Sequence, residues 1–286
     1  MMKGFGRALR GEIYLWTRKR SWRLALLLIF LVAAGYVGAS RALFAVAGRG
    51  TEMGPGVTAA WNFWPQFAAA SRTGFFLVEL LTVVLLAAAL PREINAGAAR
   101  DPLARGLSRS AWIAARACIG VLLPLTLAAA AVAGAAGAGA LLFDAGDVME
   151  DGEMLLSVAE EDLDGHIARA ILHGIPPLLA LAAVALALSV LCRHAVVAVG
   201  LGLGLVLLPT FIHGQLGDAA PWLFPDTLAG LGTDSYLARI AQFAEGYTSA
   251  FPETFDAVIA KGWIAPWPAL ILGWAAAILL FRRRAV

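Results

Sequence analysis

The sequence has little charge and almost no cysteine. Of its 286 residues, 15% are charged and 60% are hydrophobic, whereas a soluble globular protein carries about 25% charged and about 45–50% apolar residues. Its two cysteines, Cys118 and Cys192, exclude a disulfide-rich scaffold, and we expect both to be buried free thiols.

Several catalytic motifs are also absent. The chain has no HExxH zinc motif, no GxSxG nucleophile elbow and no GxxxxGK[ST] phosphate loop, so it cannot hydrolyse ATP by the P-loop mechanism alone. We expect it not to be an enzyme. The four histidines fall at predicted membrane edges and predict no metal site, and the basic residues lie where membrane topology requires them, which argues against a nucleic-acid partner.

What the sequence does contain is long apolar runs. A bilayer core about 30 Å thick needs roughly 20 apolar residues per helix, and backbone groups must pair within the membrane, which favours helices. The sequence therefore predicts an all-α polytopic membrane protein with six spans: Trp22–Ala45, Thr73–Leu90, Ala111–Phe143, Pro176–Leu191, Ala195–Ile212 and Ile264–Phe281.

The basic residues predict the orientation of these spans. Most of the 22 lysines and arginines lie near the N-terminus, at residues 91–116, at Arg193 and at Arg282–Arg284, on a side with only three acids, Glu12, Glu93 and Asp101. The positive-inside rule then places both termini in the cytosol.

The first 21 residues predict an amphipathic helix in the cytosolic interface. Phe5, Leu9, Ile13 and Trp16 recur at helical spacing among arginines, which is typical of such helices. The alternative is a plain basic flank that only fixes topology. Glycines in the third and fifth spans, among them Gly134 and Gly200, favour close helix packing within one subunit, with a dimer seam as the alternative.

Two segments are predicted to be extracytoplasmic. Residues 144–165 form an acidic loop without EF-hand spacing, in which Ser157 and Glu160 predict a capping box that opens a helix toward His173. Residues 213–263 contain aromatic side chains among turn residues, so we expect this segment to fold at the membrane surface as a cap.

Glu79 is an acid within a predicted span. An intramembrane charge is costly and usually faces protein or water. We expect a buried pair with Arg72, two turns earlier on the same face, or with Arg116 on the next span; a substrate-path or proton-linked residue is the alternative.

The basic turn between the second and third spans, residues 91–110, carries a resemblance. It has Arg92-Glu93, then Gly97, a short amphipathic stretch and Leu107-Ser108-Arg109, and the next span follows with Arg116. This order, with an interfacial basic helix and six spans, resembles the permease subunit of type-2 ATP-binding-cassette (ABC) exporters, and the resemblance covers residues 1–286 as a single domain.

In that family the turn forms a coupling helix that docks in a cleft of the ATPase subunit. The resemblance implies that Glu93–Leu107 has this role here and that Glu93 and Arg109 hold its ends. The implied coupling residues are Glu93, Gly97, Arg100, Asp101, Leu103, Arg105, Ser108 and Arg109. Ala98, Gly106 and Pro102 depart from the family pattern, and Pro102 predicts that the helix restarts near Asp101.

The resemblance further implies a multi-pass protein of the bacterial inner membrane that works with cytosolic ABC ATPase subunits and with a second copy of itself or a related permease. ATP and Mg²⁺ would bind in the ATPase, and this chain would bind no cofactor. An extracytoplasmic partner is left open. Spans rich in Ala, Leu and Val favour a lipidic or amphiphilic cargo. The rival hypotheses are a membrane anchor that recruits a cytosolic partner and an ion-coupled transporter that uses Glu79.

Overall fold

The computed structural model describes residues 4–47, 62–98, 106–146, 148–149, 156–158, 160–216, 222–233, 235–244 and 255–283. These residues are almost entirely helical. The helices are α1 Phe5–Arg18, α2 Arg20–Ala47, α3 Phe63–Asn95, α4 Arg109–Leu142, α5 Glu160–His173, α6 Ile175–Leu191, α7 Ala195–Leu216, α8 Tyr236–Ala244, α9 Phe255–Ile264 and α10 Pro266–Arg283, with a 3₁₀ turn at Phe224–Thr227. The short strands β1, Val148–Met149, and β2, Leu156–Val158, pair antiparallel.

Five helical segments are long and apolar enough to cross a membrane: Arg20–Val46, Phe63–Asn95, Arg109–Leu142, Leu163–Leu191 and Val258–Arg283. Their lengths of 26 to 34 residues exceed the roughly 20 residues that a bilayer requires. The chain is therefore a helical, multi-pass membrane protein, as predicted. The predicted fifth span lies in α7, whose described apolar stretch, Ala195–Pro209, is shorter than the other five.

The predicted fourth span is longer than the sequence indicated. Instead of beginning at Pro176, it begins at Leu163 in α5, and α5 and α6 meet at Gly174, whose N–H donates to Ala170 O at 3.1 Å. Pro176 is tolerated because it lies in the first turn of α6. The helix toward His173 is confirmed, but Ser157 lies in β2 rather than at its N-cap.

Small residues let the long helices approach one another closely. A Cβ on Gly134 of α4 would lie 2.5 Å from the carbonyl oxygen of Phe30 on α2, and a Cβ on Gly74 of α3 would lie 2.6 Å from the Cβ of Ala131 on α4. The predicted packing role of Gly134 within one subunit is confirmed. A Cβ on Gly137, Gly200 or Gly204 would meet no described atom within 4 Å.

At the end of the bundle opposite α1, backbone contacts join neighbouring elements. The N–H of Phe63, at the start of α3, donates to Asp144 O at 3.0 Å, just after α4. Within the predicted cap, the Tyr236 hydroxyl lies 2.7 Å from His166 Nδ1 on α5. Burial raises the pKa of the Tyr236 phenol, so it stays protonated at neutral pH. The described parts of residues 213–263 are thus folded against the bundle.

Candidate functional site

A buried charge cluster joins α1, α3 and α4 at one end of the bundle. We call it the Arg116 cluster; it contains Glu12, Lys19, Glu93, Trp112 and Arg116. Glu12 Oε1 accepts hydrogen bonds from Trp112 Nε1 at 2.8 Å and from Arg116 Nη2 at 3.2 Å. Glu93 joins the cluster through both carboxylate oxygens. Its Oε2 accepts from Arg116 Nη2, and its Oε1 accepts from Lys19 Nζ at 3.3 Å.

The geometry of the cluster follows from the local sequence. Glu12 lies on the buried stripe of α1 with Ala8 and Trp16, one helical turn from each. Arg116 lies two turns into α4, and Glu93 lies in the last turn of α3, so one guanidinium reaches both acids. The side chains of Glu12 and Arg116 are each only 5% exposed. Charges buried this deeply are stable only when they are paired, and removal of one partner costs several kcal/mol.

The cluster adds to one prediction made from the sequence and corrects another. Of the apolar stripe predicted for α1, Trp16 lies on the buried face with Glu12, whereas Ile13 is 39% exposed. The amphipathic helix itself is confirmed, but its apolar residues lie partly on the outside. Arg116 also pairs with Glu12 and Glu93 rather than with Glu79.

The described ends of the predicted coupling loop lie next to the Arg116 cluster. Ser108 is the N-cap of α4, and its hydroxyl accepts from the Ala111 N–H at 3.2 Å. Arg109 is the first residue of α4. Gly97 follows the C-cap of α3 with a φ of 74°, a left-handed conformation that favours glycine at a helix end. Arg100, Asp101, Leu103 and Arg105, and with them the coupling helix, lie outside the described residues.

The start of α1 also reaches the exit of this loop. A Cβ on Gly4 would lie 3.0 Å from a methyl carbon of Leu107. A cavity of about 470 Å³ lies between α1, α3 and α4, and Glu12, Lys19, Arg92, Glu93 and Arg116 are among the residues that line it. The interfacial helix and both flanks of the loop therefore form one connected region.

A second polar site lies at Glu79 on α3, which is completely buried. Glu79 Oε1 accepts from the Gly230 N–H and Oε2 from the Leu231 N–H, each at 2.8 Å. Among the described residues no ion pair in direct contact joins Glu79 to Arg72 or Arg116. Arg72 interacts with Glu79 only through longer-range electrostatics, so the direct charge pair that the sequence predicted does not form. The carboxyl group instead satisfies two backbone donors of the chain that follows the 3₁₀ turn.

This non-helical segment packs directly on the backbone of α3. A Cβ on Gly230 would lie only 2.0 Å from the backbone nitrogen of Phe76, and one on Gly232 would lie 2.1 Å from Asp226 O. Irregular backbone at membrane depth is stable only where it is buried in protein. We call residues 228–233 the inserted loop, because Glu79 holds this segment beside a membrane-spanning helix.

Sequence reasoning missed four partners in these sites: Glu12, Lys19, Trp112 and the N–H groups of the inserted loop. Glu12 had one signal, since it occupies the same helical face as Trp16, four residues later. The backbone donors had none, because Gly230 lies 151 residues from Glu79 in sequence.

The sequence was compared with protein-family models and with curated proteins. No family model matches the chain, and no curated protein matches it.

Proposed function

We propose that this chain is the membrane-spanning subunit of an ATP-driven transporter of the type-2 ABC exporter class, and that it couples ATP hydrolysis in a cytosolic partner to export or to force transmission across the membrane. The observation that carries the proposal is the Arg116 cluster. A single buried guanidinium links the helix before the predicted coupling loop, the helix after it and the interfacial helix α1.

Such a linkage suits a mechanical role. A rigid segment held in a partner's groove passes rigid-body motion to the elements fixed to it. A push on the loop would move α3 and α4 together, because Glu93 and Arg116 are paired, and would carry α1 with them through Glu12. A simple anchor for a partner needs no such link between three helices.

The proposal includes six spans with both termini in the cytosol of a bacterial cell. The contacts of Trp112 support an even number of spans. Its indole N–H donates to Glu12 on α1, and its ring packs on Phe281 near the end of α10, with centroids 5.3 Å apart. The first and last helices thus lie at the same end of the bundle. The five long spans and α7 together give six crossings, and an even number of crossings places the first and last helices on the same side of the membrane.

The Glu79 site does not favour ion-coupled transport. Both carboxyl oxygens are engaged by N–H groups of the inserted loop, which gives Glu79 a positioning role for that loop.

The test is co-purification from the source organism in mild detergent. We expect an ATPase with a P-loop to accompany the chain, and its recovery to fall sharply with Arg100→Glu plus Arg105→Glu in the loop. The matched control is Arg282→Glu plus Arg283→Glu, exposed arginines at the end of α10, which makes the same charge change and should retain the ATPase. If no P-loop protein accompanies the chain, or if both double variants lose it equally, the proposal fails.

A further inference from the structure

Arg72 is a cation inside a membrane-spanning helix. It lies nine residues after Phe63, the first residue of α3, or about 14 Å along the helix. No ion pair that joins described residues includes Arg72; Lys19–Glu93, Arg116–Glu12 and Arg116–Glu93 lie elsewhere. The acid expected to pair with it, Glu79, interacts with Arg72 only through longer-range electrostatics, and its oxygens accept from the inserted loop. A cation in a membrane-spanning helix with no described anion in direct contact is a candidate binding site.

Arg72 lines a cavity of about 270 Å³ between α2, α3 and the inserted loop, together with Tyr36, Thr73, Phe76 and Gly230. Tyr36 is 37% exposed and Phe76 is 40% exposed, so the cavity opens at the outer surface of the helix bundle. Its volume equals that of about nine water molecules in the liquid. It can hold a head group, but not a whole lipid.

We propose that this cavity binds the anionic head group of an amphiphilic molecule, a phosphate ester or a free carboxylate, with Arg72 as its counter-ion. A guanidinium binds either oxyanion through two parallel N–H donors. The hydrocarbon part of the ligand lies outside the cavity, along the exposed apolar faces of α2 and α3 beside Tyr36 and Phe76. This arrangement gives the half-buried charge of Arg72 a partner and leaves the chains of the ligand in the bilayer.

The site deepens the proposed transport function by assigning it a substrate class. The assignment of the ligand as a substrate rests on that function, whereas binding of the head group does not. Gly230 both lines the cavity and donates to Glu79. Occupation of the cavity and the position of the inserted loop are therefore linked. Binding can be measured on the full chain without the ATPase, so failure of this inference and failure of the proposed function give different results.

The experiment is native mass spectrometry of the purified full chain in neutral detergent, titrated with dioleoylphosphatidylglycerol or dioleoylphosphatidylcholine. We expect the anionic lipid to bind more tightly than the zwitterionic one. Arg72→Gln should weaken the binding of the anionic lipid by about tenfold or more, the value of a charge-assisted hydrogen bond. Arg72→Lys keeps the charge but loses the two parallel donors, so it should weaken binding less than Arg72→Gln does. Arg193→Gln, at an exposed arginine between α6 and α7 and outside the described spans, is the control with the same charge change and should bind as the unaltered chain does.

A second variant covers the case in which Arg72→Gln does not fold. Ala69→Phe places a ring in the cavity that Ala69 lines and leaves Arg72 in place, and it should abolish tight binding of the anionic lipid. The inference is overturned if the unaltered chain binds both lipids equally or if Arg72→Gln and Arg193→Gln weaken binding to the same extent. It is also overturned if millimolar inorganic phosphate displaces the lipid, since the ligand would then be a free anion.

Discussion

At the scale of single residues, the three polar groups predicted within the membrane have different surroundings. Arg116 is shared by two acids from different helices, and Glu79 is occupied by backbone donors. Arg72 lines a cavity at the surface of the bundle. The same residue type thus has a structural role at position 116 and, we propose, a binding role at position 72. Their surroundings make the difference.

The first prediction concerns Glu12. Replacement by Gln removes the charge that Arg116 and Trp112 share, and we expect a loss of about 1.5–3 kcal/mol in the free energy of unfolding, as for hydrogen bonds to charged groups. The measurement is equilibrium unfolding in mixed micelles. Arg10→Gln, on the exposed side of α1, is the control and should leave the free energy of unfolding nearly unchanged. Equal stability of the two variants would mean that the cluster does not hold α1.

At the scale of elements, glycines at the helix contacts determine how closely the helices pack. Gly134 lets α4 approach the backbone of α2, Gly273 lets α10 approach Ala183 on α6, and Gly174 lets the α5–α6 junction approach Ala229 on the inserted loop. In a bilayer, where lipid tails are as apolar as leucine, such contacts and interhelical hydrogen bonds are the main attractions between helices.

The second prediction compares two glycines on one helix. Gly134→Val should separate α4 from α2, because the new Cβ would meet the Phe30 carbonyl oxygen at 2.5 Å, and should lower the thermal unfolding midpoint in detergent. Gly137→Val adds the same β-branched side chain to the same helix but meets no described atom within 4 Å. Its midpoint should stay close to that of the unaltered chain. A similar fall in both variants would assign the effect to helix propensity instead of packing.

The sequence allowed prediction of the elements more fully than of their contacts. Run length and hydropathy were sufficient to predict the spans observed at Arg20–Val46 and Arg109–Leu142, because a helix must satisfy its own backbone hydrogen bonds in lipid. They did not predict that the fourth span begins at Leu163, because the acidic residues before Leu163 belong to the same helix as the span. The partner of Glu79 could not be predicted, since backbone N–H groups carry no residue-specific signal and the pairing depends on how the inserted loop folds.

At the scale of the whole molecule, both termini of the described chain meet at one end. Trp112 on α4 contacts both Glu12 on α1 and Phe281 on α10. The inserted loop and α8 pack toward the other half of the bundle, where Tyr236 meets His166. We propose that the two halves face the cytosol and the extracytoplasmic space, and that motion enters at the first and affects ligand binding at the second.

The third prediction tests this orientation by labelling introduced cysteines with a membrane-impermeant maleimide in intact cells. In a background in which Cys118 and Cys192 are replaced by alanine, Met2→Cys and Val286→Cys should stay unlabelled until the membrane is opened. Gly146→Cys, after the end of α4, should be labelled at once. Labelling of position 286 but not of position 2 would indicate an odd number of spans.

The central claim is that the loop between α3 and α4 docks on an ATPase, and photo-crosslinking from within the loop tests it most directly. Benzoylphenylalanine replaces Leu103 in the predicted coupling helix or, as the control, Leu223, which is 39% exposed and lies in the predicted cap. We expect light to link position 103, and not position 223, to a protein with a P-loop. A crosslink from neither position, or equal crosslinks from both, would contradict it.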